Sequence, residues 1–285
     1  MSAVSTSEAS EPPCVVRERY FSQWSEKQAE LKRELRIGDE HRGFLIEEDN
    51  GELNIVNLDV DESEPDLHNS ENNSAKPLRY IGGVDISFAL ESDTTACAAL
   101  VILEYPSLEV VYEDLRQVEL QYPYIPGFLA FREVPFLLDL LDKLRLEKPE
   151  LMPQVLFTDG NGVLHPRGFG LASQLGVQAQ IPCIGIGKKF LDCDGLRRDA
   201  VRQLCRDSLQ SHGDAVLLKG ETRTVGAALL GAPKTKNPVF VSVGHRVSLY
   251  AALLLTLRMC RTRIPEPVRQ ADLRSRRFLR GLGLL

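Results

Sequence analysis

Two aspartates stand where apolar runs end. Asp85 interrupts Arg79-Tyr-Ile-Gly-Gly-Val-Asp-Ile-Ser-Phe88, and Asp159 closes Pro153-Gln-Val-Leu-Phe-Thr-Asp159, with Gly160-Asn-Gly162 behind it. Each run reads as a buried strand, so each acid is either a solvated strand end or a group aimed into a cleft. Ligands of open α/β sheets gather at the carboxyl ends of strands, and glycines there let a backbone approach a ligand closely. A third acid, Glu133, sits in Phe128-Leu-Ala-Phe-Arg-Glu-Val-Pro-Phe136, a helical surface with little purely polar face around it. Brought together, Asp85, Glu133 and Asp159 would repel strongly, and the natural compensation is a divalent metal. Hard oxygen ligands select Mg²⁺, with Mn²⁺ as a substitute, over zinc.

Other residues carry chemistry with two readings each. His245 ends Val239-Phe-Val-Ser-Val-Gly-His245 before an apolar helix. It is either a locally satisfied histidine or, at a third strand end, a group to orient water, bind metal or shuttle a proton. Lys188 and Lys189 follow Ile184-Gly-Ile-Gly187 and face either solvent or an anionic phosphate. Pro123-Tyr-Ile-Pro126 is a rigid tip around the aromatic Tyr124, either a proline-bounded loop or a wedge on which a base stacks or is prised out. Neither Gly82-Gly83 nor Gly185-Ile-Gly187 completes a phosphate-binding P-loop or a dinucleotide fingerprint.

The elements that must position these groups follow from periodicity. A helix is predicted over Phe21–Ile37, a short strand over Glu52–Leu58, and strands over Arg79–Phe88, Thr95–Tyr105 and Glu109–Glu119. A long helix over Gly127–Leu146 precedes the strand ending at Asp159. A helix over Gly168–Leu175, a strand over Pro182–Gly187 and a mixed segment come next. Strands over Ala215–Lys219, Thr224–Leu230 and Val239–Val243 and helices over Arg246–Cys260 and Pro267–Leu279 complete the chain. Antiparallel strands first and alternating strands and helices later imply an α/β fold, a mixed sheet flanked by helices. Residues 1–78 form an N-terminal tail, a helix and an acidic flexible insertion (Gly38–Lys76), and 79–285 the compact catalytic domain.

Composition narrows the function classes. At 285 residues and 43% apolar, the chain has a real core and is not wholly disordered. Its net charge of −6 is uneven: residues 1–79 hold 18 acidic and 9 basic side chains, the remainder 22 and 25. The eight arginines from Arg258 onward leave the C-terminal part able to hold a polyanion. Six scattered cysteines with no Cys-x-x-Cys pair give no zinc spacing, and we expect free thiols. The longest apolar stretch, Leu249–Leu257, is nine residues, half a membrane span. Met1–Ser10 has no signal-like apolar region. We expect an intracellular protein without a membrane partner, cytoplasmic with a nuclear or nucleolar share.

Read in order, the strings resemble the endonuclease V family. They are Gly82-Gly-Val-Asp-Ile-Ser-Phe88, Pro123-Tyr-Ile-Pro-Gly-Phe-Leu-Ala-Phe-Arg-Glu133, Asp159-Gly-Asn-Gly-Val-Leu-His-Pro-Arg-Gly-Phe-Gly170, Gly187-Lys-Lys189 and Ser242-Val-Gly-His-Arg246. The resemblance implies a ribonuclease H-like fold and incision at the second phosphodiester 3′ to inosine, leaving 5′-phosphate and 3′-hydroxyl ends. It implies Asp85, Glu133 and Asp159 as metal-binding carboxylates, His245 as a further catalytic residue and Lys188 as a substrate-facing lysine. Tyr124, within Pro123, Tyr124, Ile125 and Pro126, becomes the strand-separating wedge, and Gly127 and Gly160 border the hypoxanthine pocket. Arg263-Ile-Pro-Glu-Pro-Val-Arg-Gln-Ala-Asp272 resembles the C-terminal segment of animal members, which makes Asp272 an auxiliary acid. Animal members imply action on inosine-containing single-stranded RNA, with deoxyinosine in DNA as a second substrate; we expect a monomer. The rival readings are a generic ribonuclease or junction resolvase and a non-catalytic inosine reader. A small-molecule hydrolase is weaker, since no Gly-x-Ser-x-Gly elbow exists.

Overall fold

A computed structural model describes residues 13–39, 44–45, 53–56 and 76–285. The expected tail over 1–15 lies outside these residues except for its last three, which open a helix. Most of the acidic Gly38–Lys76 segment also lies outside them.

Helix α1 (Pro13–Lys32) begins eight residues earlier than its apolar stripe predicts and is followed by three two-residue strands, β1 (Phe44–Leu45), β2 (Asn54–Ile55) and β3 (Lys76–Pro77). The body then runs β4 (Tyr80–Phe88), β5 (Thr95–Glu104), β6 (Glu109–Glu119), α2 (Leu129–Glu147), β7 (Val155–Asp159), α3 (Leu171–Ala179) and β8 (Cys183–Gly187). It continues through α4 (Arg198–Ser208), β9 (Asp214–Lys219), β10 (Thr224–Leu229), β11 (Val239–His245), α5 (Leu249–Met259) and α6 (Glu266–Gly281). Helix α4 lies inside what sequence alone reads as a mixed segment. Val201, Leu204 and Cys205 give it a short apolar stripe at helical spacing in an otherwise charged segment.

One sheet has the order β2-β9-β10-β11-β8-β7-β4-β5-β6, while β1 and β3 pair separately. Strands β4, β7 and β8 are parallel to one another, and β11 runs antiparallel to β8. Strand β5 alternates between two cores: Ala99, Val101 and Leu103 face α5 and α6, and Ala98, Leu100 and Ile102 face α2 and α3. Both faces are covered, which is why this strand reads as a continuous apolar run instead of an alternating one. Helix α5 is the membrane-like stretch of the sequence. Ser248 caps it by accepting a hydrogen bond from Ala251 N (3.0 Å), and Leu253, Leu254 and Leu255 are buried. Each such leucine contributes roughly 1.5–3 kcal/mol. No described helix is long and apolar enough to cross a membrane.

A close crossing in this core sets the position of the site. Helix α6 passes β4 so tightly that a Cβ on Gly83 would lie 2.0 Å from the Pro267 carbonyl oxygen. Only glycine admits that approach. It brings the middle of α6 over the strand two residues further on, at Asp85.

Candidate active site

β4 and β7 run in parallel register up to Val84 beside Thr158, so the next residue on each strand is an aspartate. Asp85 and Asp159 therefore become neighbours, and α6 lowers Asp272 onto them. Each of the three acids offers an oxygen within 4.8 Å of the others. Ser87 Oγ and Ser275 Oγ donate to Asp85 Oδ2 at 2.7 and 3.0 Å. Lys188, just past the end of β8, places Nζ 2.5 Å from Asp159 Oδ2 and 3.6 Å from Asp272 Oδ1. Arg276 Nε donates to Asp272 Oδ1 at 3.1 Å.

The electrostatics show a site short of positive charge. Burial is the main push on Asp85; the Ser87 hydrogen bond resists it, the charges of Asp159 and Asp272 add to it, and the pKa rises to about 6. Glu133, on α2, is raised to about 8 by burial and then by Asp85, against the neighbouring Arg132 guanidinium. Burial also disfavours the Lys188 charge, but the bond to Asp159 and the surrounding aspartates outweigh it, so its pKa lies above the ordinary lysine value. Closely spaced hard oxygen donors, held by hydroxyls and under-neutralised, suit a small divalent cation.

The sequence-derived set is thus partly rearranged. Asp85, Asp159 and Lys188 come together as expected. Asp272 is a full member of the cluster. Glu133 comes from α2, which packs on the face of the sheet opposite α6; it is near enough to feel Asp85 and Asp159 but outside the three-oxygen cluster. His245 does not belong to the site. Its strand is antiparallel to β8 and pairs His245 with Cys183, the start of β8, whereas Asp159 pairs with Ile186, near its end. That separation is about 10 Å along the strands and two strand spacings across. His245 is buried and accepts a hydrogen bond from Arg36 N at Nδ1 (3.3 Å), holding the segment after α1 to the far end of the sheet.

Beside the cluster a cavity of about 490 Å³ is lined by Tyr124, Pro126, Gly127, Phe128, Gly160 and Arg167 among others. Gly160 follows Asp159 directly, so cavity and cluster share a wall. The Pro123–Pro126 loop is anchored by Ile125, buried with Trp24 and Phe128, while Tyr124 is 54% exposed beside it. Gly127 has φ +85°, a left-handed turn that opens the way into α2. The opposite wall carries His165, which burial and then the charges of Arg167 and Lys32 lower to about 4, so it is neutral near pH 7. Gln28 of α1 ties the two walls together: its Nε2 donates to the Gly127 and Phe169 carbonyls (3.3 and 2.9 Å) and its Oε1 accepts from Arg167.

Ser87, Ser275, Arg276, His165 and Gln28 are additions that the sequence reading lacks. Ser87 was accessible by strand alternation, two residues from Asp85 on the same face, and Ser275 by helical spacing, three residues after Asp272. Gln28 carries no such signal, because its partners lie about a hundred or more residues away.

A family model described as endonuclease V matches residues 63–273. Over 209 residues the chain is 54% identical to human endonuclease V, a match covering 73% of this chain and 74% of the human one. The chain belongs to the endonuclease V family. Endonuclease V of Mus musculus is 53% identical over 204 residues, 71% of this chain and 60% of the mouse protein. The crystal structure of the catalytic domain of human endonuclease V superposes with a TM-score of 0.78 at 44% identity, covering 96% of this chain and all of that one. Endonuclease V of Ciona intestinalis, solved in complex with a 24mer DNA containing an inosine followed by a ribo-adenosine, superposes with a TM-score of 0.75 at 30% identity. That match covers 93% of this chain and 99% of the other. The fold is thus the ribonuclease H-like one of endonuclease V, and the protein is an endonuclease and so a hydrolase.

Proposed function

We propose that this endonuclease cuts the second phosphodiester 3′ to inosine in single-stranded RNA, with deoxyinosine in DNA as a secondary substrate, and leaves 5′-phosphate and 3′-hydroxyl ends. One observation carries the reading: a cavity roomy enough to admit a base adjoins the carboxylate cluster at consecutive residues, Gly160 and Asp159. A reader without catalysis has no use for three converging acids, and a generic nuclease has no use for the cavity. The Ciona relative, solved with a DNA containing an inosine followed by a ribo-adenosine, supports the base and one ribose directly 3′ of it.

Asp85, Asp159 and Asp272 would hold Mg²⁺, or Mn²⁺ in its place. A dication held there would supply polarisation of the phosphoryl oxygen and a lowered pKa for water. The protein's own groups do the rest. Ser87 and Ser275 fix the Asp85 carboxylate through Oδ2. Lys188 Nζ, held charged by Asp159 and Asp272, faces the non-bridging oxygens of the scissile phosphate. Tyr124 stacks in the gap left by the displaced base, and the anchored Ile125 keeps that ring in place. Neutral His165 adds no charge to a cavity that must hold a neutral purine.

Matched single-stranded RNAs, with and without one inosine, incubated in Mg²⁺ and then in EDTA, test the reading. Cutting confined to the inosine strand, displaced one nucleotide 3′ and lost in EDTA, is expected. Indiscriminate cutting moves the protein to the generic ribonucleases, and binding without cutting makes it a reader.

A further inference from the structure

Beyond Lys188 the molecule opens into a second groove of about 710 Å³, on the α4 side of the sheet and away from the base cavity. Its charge is one-sided. Lys188, Lys189, Arg198, Arg202, Arg206 and Lys236 line it, and no aspartate or glutamate does among the described residues. Arg198, Arg202 and Arg206 recur every fourth residue, so α4 presents them as one stripe while Val201 and Cys205 fill the core behind. All three arginines are exposed; Arg202 is also 3.5 Å from Asp199 in an ion pair that solvent screens. Arg263 builds the groove instead of serving a ligand: its guanidinium donates to the carbonyls of Lys188 (2.6 Å), Pro238 (3.0 Å) and Asn237 (3.2 Å).

A trough with six cationic side chains at its walls and no acid suits a chain of phosphates, while Phe190, Leu209, Leu230 and Phe240 form its floor. Lys188 belongs to the trough and to the carboxylate cluster alike, so a strand leaving the cluster enters the trough without a gap. The inosine base lies on the other side, past Gly160. We propose that this groove is the track for the strand 3′ of the cut, gripping its backbone phosphates through the α4 arginine stripe. The direction of the strand rests on the function proposed above.

The full chain and its Arg202→Glu/Arg206→Glu variant, matched for melting temperature, would be compared on two single-stranded inosine RNAs. One carries a long 3′ flank and the other ends one nucleotide past the cut. The variant should raise KM several-fold on the long strand with kcat unchanged, and leave the short strand unaffected. The salt dependence of kcat/KM should flatten by about 0.7 in log–log slope for each phosphate that the groove no longer neutralises. Arg202→Lys/Arg206→Lys should restore the wild-type values. Equal effects on both strands, or none at all, would overturn the groove assignment. If wild type cuts RNA regardless of inosine, the base reading fails while the flank comparison still decides the groove. If wild type cuts nothing, binding of the same two RNAs across a salt series decides it.

Discussion

The two ends of this sheet bury polar groups in opposite ways. At the end where β11 finishes, Asp39 accepts from both Ser248 N and Ser248 Oγ (2.8 and 2.9 Å), and His245 takes up the Arg36 amide. Those hydrogen bonds join the chain after α1 to the cap of α5. At the end where β7 and β8 finish, Asp85, Asp159 and Asp272 crowd together with one ammonium between two of them and the Arg276 guanidinium on Asp272, and Glu133 adds a fourth carboxyl from α2. Buried polar groups that serve stability are paired; those poised for a ligand remain in electrostatic conflict until it arrives. Both ends look alike as strand-end polar residues, and only the balance of charge separates them.

Mutations break the comparison most sharply at the cluster. Asp85→Asn should lower the incision rate by more than about 100-fold, beyond the range typical of residues that only support a ligand. His245→Ala should cost about 1–3 kcal/mol of stability through a buried group losing its partner, with kcat unchanged. Single-turnover kinetics beside thermal melts would check both, and a folded His245→Ala protein that cannot cut would reverse the assignment of the two ends. Tyr124→Ala should weaken productive binding by about 1–3 kcal/mol, the scale of one base stack, without moving the melting temperature. Unaltered binding would remove the wedge. Ser275→Ala should slow incision by about tenfold, because it loosens the Asp85 carboxylate without removing a ligand; a rate equal to wild type would show that Ser87 holds it alone.

The least dramatic change is in pH dependence. Asp85 and Glu133 titrate near 6 and 8 in the folded protein, above the roughly 3.9 and 4.3 of an unfolded chain. Between those values the folded state binds more protons. These two groups therefore make the metal-free protein less stable as pH rises from about 4 to 8. Glu133→Gln should flatten that slope in metal-free melts, and added Mg²⁺ should do the same to wild type. A slope of the opposite sign would show that the carboxylates are already neutralised.

Asp85 and Asp159 were legible because an acid at the end of an apolar strand has a local signature. His245 carries the same signature and is misplaced by it. A sequence shows that a strand ends but not which way the strand points, and the antiparallel course of β11 puts its end opposite theirs. Asp272 was visible only through family resemblance, because its place depends on the approach of Pro267 to Gly83, far apart in the chain. Glu133 lies on the expected helix, but its face follows from how α2 packs, which periodicity does not settle. Helix α4 was open to view, in the Val201, Leu204, Cys205 spacing and in its four-residue arginine spacing, but both stripes are short and sit in a charged segment.

Gln28 has a bearing on modularity. Its single amide spans both walls of the base cavity from a helix that precedes the compact body. A fragment starting at β4 would keep every carboxylate and Lys188, yet lose the tie that sets the width of the cavity. On the function proposed above, trimming the chain to its catalytic core should therefore uncouple fidelity from catalysis, yielding an enzyme that still cleaves but no longer selects its base.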